Sequence, residues 1–566
     1  MQTAYWLAFS SFLGISLMSA KAPDLKEQNS HTNESAGSFF KKQNTEEKII
    51  IRSIVLVNEA KVLEKLDVSK ISGIYVDSEV KLPGTLADFR KDIEPLYLNR
   101  ELNRENLTAL KNEIIKYYSQ HHSQTVSVEI PEQKVTSGVV EFVVTQAKIG
   151  SVTFSGNKWF PKTRVEKELS LKSGDTYDQS KLLNDVAWLN QNPFHYSEVI
   201  LSPGKNKGTS DLEIVTKDRF PLRAYAGGDN TGLESTGRSR YFAGLSWGDA
   251  FFADDLLAYQ FTTNSTYDKF HSHSLTYNTF LPWQHILLIY GSYAIIHPQV
   301  TDFESHGKDG QASFRYKIPF KPLYTNFQHQ IYFGFDYKYV TSALFYVGEL
   351  DAFFQQESQV NVSQEMLGYQ LEYFPAHHQL TFRLELFGSP AKWLPHQSSH
   401  AYHTMRKDAD PRYFYATLAL GDIYTFSTKD SISALLRVHA AANTLIPSEQ
   451  FSLGGYNTVR GYEESVFVGD NGICANLELR ARPISFFRKA KDELTFLAFI
   501  DYGWAYNYHA FDGITKTARL LGAGPGVRYN INPYFSIRAD YGFKLHHVGF
   551  DDNDLGRWHV GASLSY

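Results

Sequence analysis

The sequence predicts two small α+β modules followed by an all-β transmembrane barrel of about 16 antiparallel strands. Three observations indicate this fold class. Apolar residues recur at helical spacing only before Phe220, and a strict two-residue alternation then continues to Tyr566. Aromatic residues form 15% of the 566 residues although the mean hydropathy is -0.33, which is typical of aromatic-rich strands with polar neighbours.

Composition excludes several classes of protein. The net charge of -5 gives no support to a nucleic-acid partner, and the single Cys474 excludes an internal disulfide framework or a cysteine-cluster metal site. Beyond the N-terminal run, no apolar stretch reaches the roughly 18 residues that a membrane helix needs, so a helical membrane protein is excluded. No glycine-rich phosphate loop follows a strand, so the sequence offers no nucleotide site. No cofactor is expected.

The N-terminal residues predict a targeting signal. The apolar run 6–18, followed by the small residues Ser19 and Ala20, predicts a signal peptide over residues 1–20. No Lys or Arg precedes this run, and a disordered or helical N-terminus is the alternative. Residues 21–47 are polar and predict a linker, within which a short helix remains an open alternative.

Two modules follow, over residues 48–146 and 147–218. In the first module, helical spacing of apolar residues over 107–117 lies between strand-like segments, which are 49–57, 125–130 and 139–145. The second module shows a clearer order of strand, helix, helix, strand, strand, which covers 149–155, 163–170, 180–190, 197–201 and 210–215. The shared order predicts a tandem repeat of one small fold.

Residues 219–566 predict the barrel. The alternating segments are roughly ten residues long, which is the length that a tilted strand needs to cross a bilayer. Short connections at 282–285, 374–378, 427–430 and 531–533 alternate with long ones at 298–308, 342–358, 388–411, 444–469 and 508–517. Short turns on one side and long loops on the other are typical of outer-membrane barrels. A soluble β-sandwich is the alternative.

The long loop 444–469 contains the candidate site. Counting strands places it on the outer side, between about the eleventh and twelfth strands. Glycines near its centre allow the backbone to turn back at positive φ, which brings one arginine to the tip. The motif at this tip is Val459, Arg460, Gly461 and Tyr462. A solvated surface arginine is the alternative.

A later strand supplies a candidate partner for the arginine. Alternation directs Phe499, Asp501 and Gly503 toward the lumen. Since loop 444–469 is long enough to fold into the same lumen, Arg460 and Asp501 form a candidate ion pair that would latch the loop.

With these features the chain resembles the outer-membrane transporters of two-partner secretion, of the haemolysin secretion/activation type. The resemblance covers the signal peptide, two modules of POTRA (polypeptide-transport-associated) type, the barrel, the arginine motif and the Asp501 strand. In that family the arginine loop enters the pore and meets the inward aspartate, which here implies Arg460 with Asp501. The terminal Tyr566 resembles the aromatic signal by which such barrels are recognised for assembly.

The resemblance implies function, partners and location. An unfolded exoprotein would bind an exposed strand edge of the POTRA-like modules in the periplasm and pass through the barrel to the cell surface, without nucleotide hydrolysis. The barrel would lie in outer-membrane lipid of a Gram-negative bacterium, inserted by the barrel-assembly machinery. No enzyme activity, metal or nucleic acid is expected.

Other functions share some of these features. A barrel-assembly factor that inserts other β-barrel proteins would share the arginine loop, but it usually carries a longer array of modules. A passive porin would need neither the modules nor the arginine loop. Ser246 lies in a G-x-S-x-G sequence, yet a strand rather than a helix is predicted to follow it. Three histidines in loop 388–411 could bind a metal, although a solvated loop is favoured because no carboxylate completes the set: His396, His400 and His403.

Overall fold

The computed structural model describes residues 49–59, 71–120, 126–133, 138–206, 208–300, 303–321, 326–346, 355–487, 491–509, 515–549 and 554–566. The predicted signal peptide and the linker 21–47 lie outside this range. The described residues form two compact units. One unit comprises the described part of Ala22–Gln191 with His195–Arg219, and the other comprises Asn192–Phe194 with Phe220–Tyr566.

The first unit begins with a four-stranded sheet in the order β2-β1-β4-β3. Its elements are β1 (Ser53–Val57), β2 (Gly73–Val76), α1 (Leu86–Tyr97), α2 (Arg104–Gln120), β3 (Val126–Glu129) and β4 (Val139–Gln146). The sequence did not predict β2 or α1. Strand β2 has only four residues, and α1 is polar apart from a stripe of Phe89, Ile93 and Tyr97 that packs into the core. Thr85 starts α1 with a capping box, because its hydroxyl accepts from the Asp88 amide while the Asp88 side chain accepts in return.

The same unit continues with a three-stranded sheet in the order β5-β7-β6. Its elements are β5 (Lys148–Ser155), α3 (Lys162–Glu168), α4 (Gln179–Leu189), β6 (His195–Pro203) and β7 (Thr209–Asp218). This is the order of strand, helix, helix, strand, strand that the sequence predicts. Asp178 caps α4 by accepting from the Lys181 amide, and Leu182, Val186 and Leu189 face the core.

The second unit is a closed barrel, which confirms the predicted fold class. All neighbouring strands are antiparallel. Because the barrel is closed, every main strand has a partner on both sides. The sixteen main strands are β8 (Leu222–Asp229), β9 (Arg240–Ala250), β10 (Asp255–Thr263), β11 (Phe270–Phe280), β12 (Ile286–Ile296), β14 (Phe303–Pro319), β15 (Phe327–Tyr346), β16 (Gln355–Tyr373), β17 (His378–Ser389), β18 (Tyr413–Thr425), β19 (Ser431–Ala441), β22 (Asn471–Arg480), β23 (Asp492–Tyr506), β24 (Thr517–Ile531), β25 (Phe535–Lys544) and β26 (Gly556–Ser565). A two-residue strand, β13 (Gln299–Val300), extends the pairing of β14.

The long connections contain more structure than the sequence predicts. Strands β15 and β16 extend into the predicted loop 342–358, and a helix α5 (Ser399–Met405) lies within 388–411. Loop 444–469 contains a 3₁₀ turn (Pro447–Glu449) and the short strands β20 (Phe451–Leu453) and β21 (Phe467–Gly469). The helix α5, the 3₁₀ turn, β20 and β21 are too short to show a periodic pattern.

The two faces of each strand differ as the alternation predicts. On β23, Phe496, Ile500 and Tyr502 are exposed on the outer face, whereas Phe499 and Asp501 are buried on the inner face. Within the described residues, no helix is both long and apolar enough to span a membrane.

The barrel closes where β26 meets β8. This seam has five residue pairs, from Gly561 to Ser565 on β26, whereas β26 forms nine pairs with β25. At one end of the seam, the Arg223 Nη2 atom donates to Ser565 Oγ at 2.6 Å, and the Tyr566 amide donates to the Ala224 carbonyl at 2.9 Å. Side-chain and main-chain bonds therefore supplement a short ladder.

Candidate functional site

The loop 444–469, which we call the pore loop, folds into the barrel lumen as a hairpin. Strands β20 and β21 pair in antiparallel register from Phe451 with Gly469 to Leu453 with Phe467. The segment between them, residues 454–466, is called the tip. It turns back through Gly454 and Gly455, whose φ angles are +103° and +96°. These left-handed conformations strain any residue with a Cβ atom, which explains the glycines.

The tip packs against a part of the inner wall that includes apolar side chains and a glycine. Val459 and Tyr462 are fully buried against Leu520 and neighbouring apolar side chains. A Cβ atom at Gly503 would lie 2.3 Å from Leu453 Cδ1 and 2.8 Å from Val459 Cγ2. The absence of a side chain at Gly503 therefore makes room for the pore loop.

Arg460 and Asp501 lie in direct contact. Arg460 Nε donates to Asp501 Oδ2 at 2.7 Å, Nη2 donates to Oδ1 at 2.9 Å, and the Arg460 main-chain amide donates to Oδ2 at 3.1 Å. Arg460 is 3% exposed and Asp501 is 0% exposed. A bidentate, charge-assisted pair of this kind fixes orientation as well as position.

Further groups complete the surroundings of the guanidinium. Its central carbon lies 3.5 Å from the centroid of the Phe499 ring, in cation–π geometry. Arg460 Nη1 donates to Glu478 Oε1 at 2.6 Å, and Arg480 donates to the other oxygen of Glu478. Two arginines thus face two carboxylates, so the buried charges are balanced.

Main-chain contacts hold the rest of the motif. The Gly461 amide donates to His559 Nε2 at 3.0 Å, and the Tyr462 hydroxyl donates to the Leu521 carbonyl at 3.1 Å. Asn476 Nδ2 donates to the Thr458 carbonyl at 2.6 Å and to Asp501 Oδ1 at 2.8 Å. Backbone as well as side chains therefore dock the tip.

Sequence reasoning did not name Glu478, Asn476 or His559 as site residues. A usable signal existed for the first two, because alternation along β22 puts Asn476 and Glu478 on the same polar face. His559 reaches the site only through the pairing of β26 with β25, and no local pattern shows this.

The remaining predicted residues lie elsewhere. Ser246 is inside β9, so the helix that an esterase elbow requires does not follow it. The His403 ring accepts from the Asp408 amide at 3.0 Å, and the described residues contain no group of three or more His, Cys, Asp or Glu side chains suited to a metal ion. Tyr566 is 91% exposed, and its part in assembly stays a prediction.

A closed sixteen-strand barrel with an arginine loop docked inside, joined to small α+β modules, defines an outer-membrane barrel of the POTRA-plus-barrel class. Residues 208–529 match the family model described as "Haemolysin secretion/activation protein ShlB/FhaC/HecB", and residues 147–218 match the POTRA model, described as "Surface antigen variable number repeat". Because the first match spans more than half of the sequence, the chain belongs to the ShlB/FhaC/HecB family.

Individual relatives agree with this assignment. The outer membrane transporter CdiB of Dickeya dadantii (strain 3937) is 22% identical over 76% of this chain and 75% of its own length. The heme/hemopexin transporter protein HuxB of Haemophilus influenzae is 24% identical over 27% of this chain and 28% of its own length. The solved structure of CdiB from Escherichia coli superposes with a TM-score of 0.74 at 16% identity, covering 97% of this chain and 95% of that chain, which shows a shared fold. The chain is thus an outer-membrane protein with its POTRA domain in the periplasm.

Proposed function

We propose that this chain captures an unfolded exoprotein in the periplasm and passes it through the barrel to the cell surface without nucleotide hydrolysis. The observation that carries the proposal is the docked pore loop. The tip occupies the lumen through side-chain and main-chain contacts that can break and re-form, whereas the wall is a continuous ladder of strands. Displacement of the tip opens a path without breaking the barrel.

The lumen wall away from the tip suits a polypeptide of any sequence. One row of facing residues runs across neighbouring strands through Gln260, Ser274, Ser292 and Gln311. These side chains are polar and uncharged, so they can bond to a passing main chain without selecting particular side chains. Folding of the exoprotein outside the cell then biases its movement outward.

Capture is assigned to the free edge of β5. The other edge strand of this sheet, β6, is blocked at Ser197, because the Asn190 side-chain amide donates to its carbonyl and accepts from its amide. On β5, main-chain bonds from the loop at 174–175 cover Ile149, the Ser173 hydroxyl donates to the Gly150 carbonyl, and the Ser151 amide donates to Asp211, so capture is assigned to residues 152–155 of this edge. An extended segment can therefore add to β5 by backbone hydrogen bonds.

Site-specific photocrosslinking tests this edge. A photoreactive amino acid in place of Thr153, which is exposed on β5, is expected to crosslink to the exoprotein during its secretion. The matched control places the same probe at Ile200, which is exposed on β6. Equal or stronger crosslinking from Ile200 would contradict the assignment to β5.

We also propose that Tyr566 is the signal for insertion by the barrel-assembly machinery. Its exposed ring is available to a partner, so Tyr566→Ala is expected to reduce the amount of folded barrel in the outer membrane, measured by heat-modifiable migration. Tyr534→Ala is the control, since Tyr534 is 55% exposed and its carbonyl accepts from the Ser565 amide at the same barrel end. Equal loss in both variants would show a general effect of removing an aromatic ring there.

A further inference from the structure

The pore loop is fixed to the wall at a second place, distant from Arg460. Glu449 lies in the 3₁₀ turn, and each of its carboxylate oxygens accepts from Lys338 Nζ at 2.8 Å. The Tyr415 hydroxyl donates to the same carboxylate at 2.9 Å. Lys338 and Glu449 are each 4% exposed, so this is a buried ion pair with its hydrogen bonds satisfied.

Chain connectivity does not require this contact. The pore loop joins β19 to β22, whereas Lys338 lies on β15. Five strands, namely β16, β17, β18, β19 and β22, separate β15 from the β23 strand that carries Asp501. The pore loop therefore crosses the lumen between two anchor points on different parts of the wall.

The first and last residues of the pore loop are held together by the connection between β17 and β18, which contains α5. Arg406, directly after α5, donates from Nη2 to Asp470 Oδ2 at 2.9 Å, and it also donates to the Leu445 carbonyl. The Leu445 amide donates to Asp470 Oδ1 at 2.9 Å, and Asp470 is fully buried. Both ends of the pore loop, residues 444–453 and 467–469, thus form one unit, anchored through the adjacent Asp470, that we call the stem.

The two anchors have opposite polarity. At the stem the pore loop carries the carboxylate and the wall carries the cation, whereas at the tip Arg460 is on the loop and Asp501 is on the wall. Exchanging the anchors would bring like charges together in a buried site, which is strongly unfavourable. The charge pattern therefore specifies which end of the pore loop docks on which wall.

Two consecutive glycines mark the border between stem and tip. Gly454 directly follows β20, and Gly455 comes next, both at positive φ. Glycine can change its φ and ψ angles with little steric penalty, so this border can act as a hinge.

We propose that Lys338 and Glu449 are positioning residues that keep the stem on the wall while only the tip, residues 454–466, is displaced during transport. The inference rests on the proposed function, because it states which part of the pore loop moves. It adds that the stem remains as a fixed wall element beside the passing chain.

Thiol labelling of the assembled protein separates the movements of tip and stem. The native Cys474 is buried beneath the tip, with its Sγ atom 3.4 Å from the Thr458 carbonyl, so its labelling reports tip displacement. For the stem, a Thr444→Cys variant in a Cys474→Ser background uses a position that is 3% exposed. Both are treated with a membrane-impermeant maleimide, and folded barrel is verified by heat-modifiable migration.

Three results are expected. Arg460→Ala raises labelling at Cys474 but leaves labelling of the Thr444→Cys reporter unchanged. Lys338→Met and Glu449→Gln each raise labelling of the stem reporter at least about tenfold, because each removes one partner of a buried pair. Glu385→Gln, the control, changes neither, since the Glu385 carboxylate accepts from Tyr332 and Thr417 on the wall itself.

The inference is overturned if Arg460→Ala exposes the stem reporter as much as Cys474, which would mean that the pore loop moves as one body. It is also overturned if neither stem variant exposes the stem reporter. If one of the two stem variants fails to assemble, labelling of the stem reporter in the other variant tests the inference. Arg460→Ala leaves the stem residues unchanged, so its result does not depend on the stem variants. Labelling needs no exoprotein, whereas secretion measured in the same strains tests the proposed function separately.

Discussion

Replacing Arg460 with Ala is expected to displace the tip and, because transport uses wall contacts that break and re-form, to reduce secretion of the exoprotein. The change leaves Asp501 buried without its cation and leaves Glu478 with Arg480 alone, and breaking a buried pair in this way costs about 3–5 kcal/mol. At that cost the ratio of docked to displaced tip falls on the order of a hundredfold or more. The rate of Cys474 labelling and the amount of exoprotein outside the cell measure the two consequences.

Arg480→Ala provides the matched control for this prediction. Arg480 also bonds to Glu478, but its side chain is 36% exposed and it belongs to the wall, so its removal is expected to change labelling little. Arg460→Lys keeps the charge but loses the bidentate fork, and an intermediate result is expected. Wild-type labelling and secretion in Arg460→Ala would remove the latch from the mechanism.

Gly522→Ala is expected to displace the tip while every charged group stays in place. Gly522 pairs with Asp501 across neighbouring strands, and a Cβ atom there would lie 2.0 Å from the Arg460 carbonyl oxygen. Such a separation is far below van der Waals contact, so either the tip or the wall must shift. Because β24 is paired with β23 at every residue from Thr517 to Ile531, we expect the tip to move, with higher Cys474 labelling and larger single-channel conductance in planar bilayers.

Gly291→Ala tests whether a methyl group on a barrel glycine is enough to cause these changes. A Cβ atom at Gly291 would have its nearest described neighbour, the Gln311 carbonyl oxygen, at 3.9 Å, which is ordinary contact. This variant should therefore resemble the wild type. If Gly522→Ala and Gly291→Ala behave alike, close docking of the Arg460 backbone does not control the pore.

The barrel and the tip contact could be predicted because their signals are local. A two-residue period identifies inner and outer faces strand by strand, and it places Asp501 in the lumen without knowledge of its neighbours. The glycines around Arg460 indicate a sharp turn within a few residues. One long loop and one inward carboxylate were then enough to suggest the pair.

The stem could not be predicted in this way. Lys338 and Glu449 are 111 residues apart, and they meet because of the order of strands around the barrel and the depth to which the pore loop folds. Neither residue stands out in its own segment, since Lys338 is one of several polar residues facing the lumen from β15. The helix α1 was missed for a different reason, because its three core residues are spread among charged ones.

The five-pair seam between β26 and β8 has a mechanical consequence. A closed wall under outward load yields first along the line with the fewest cross-strand bonds, and that line lies here rather than at the nine-pair contact of β25 with β26. A bulky segment pressing on the wall from within would widen the circumference at this line. When the wall is loaded from within, we therefore expect β26 and β8 to separate before other neighbouring strands of the barrel do.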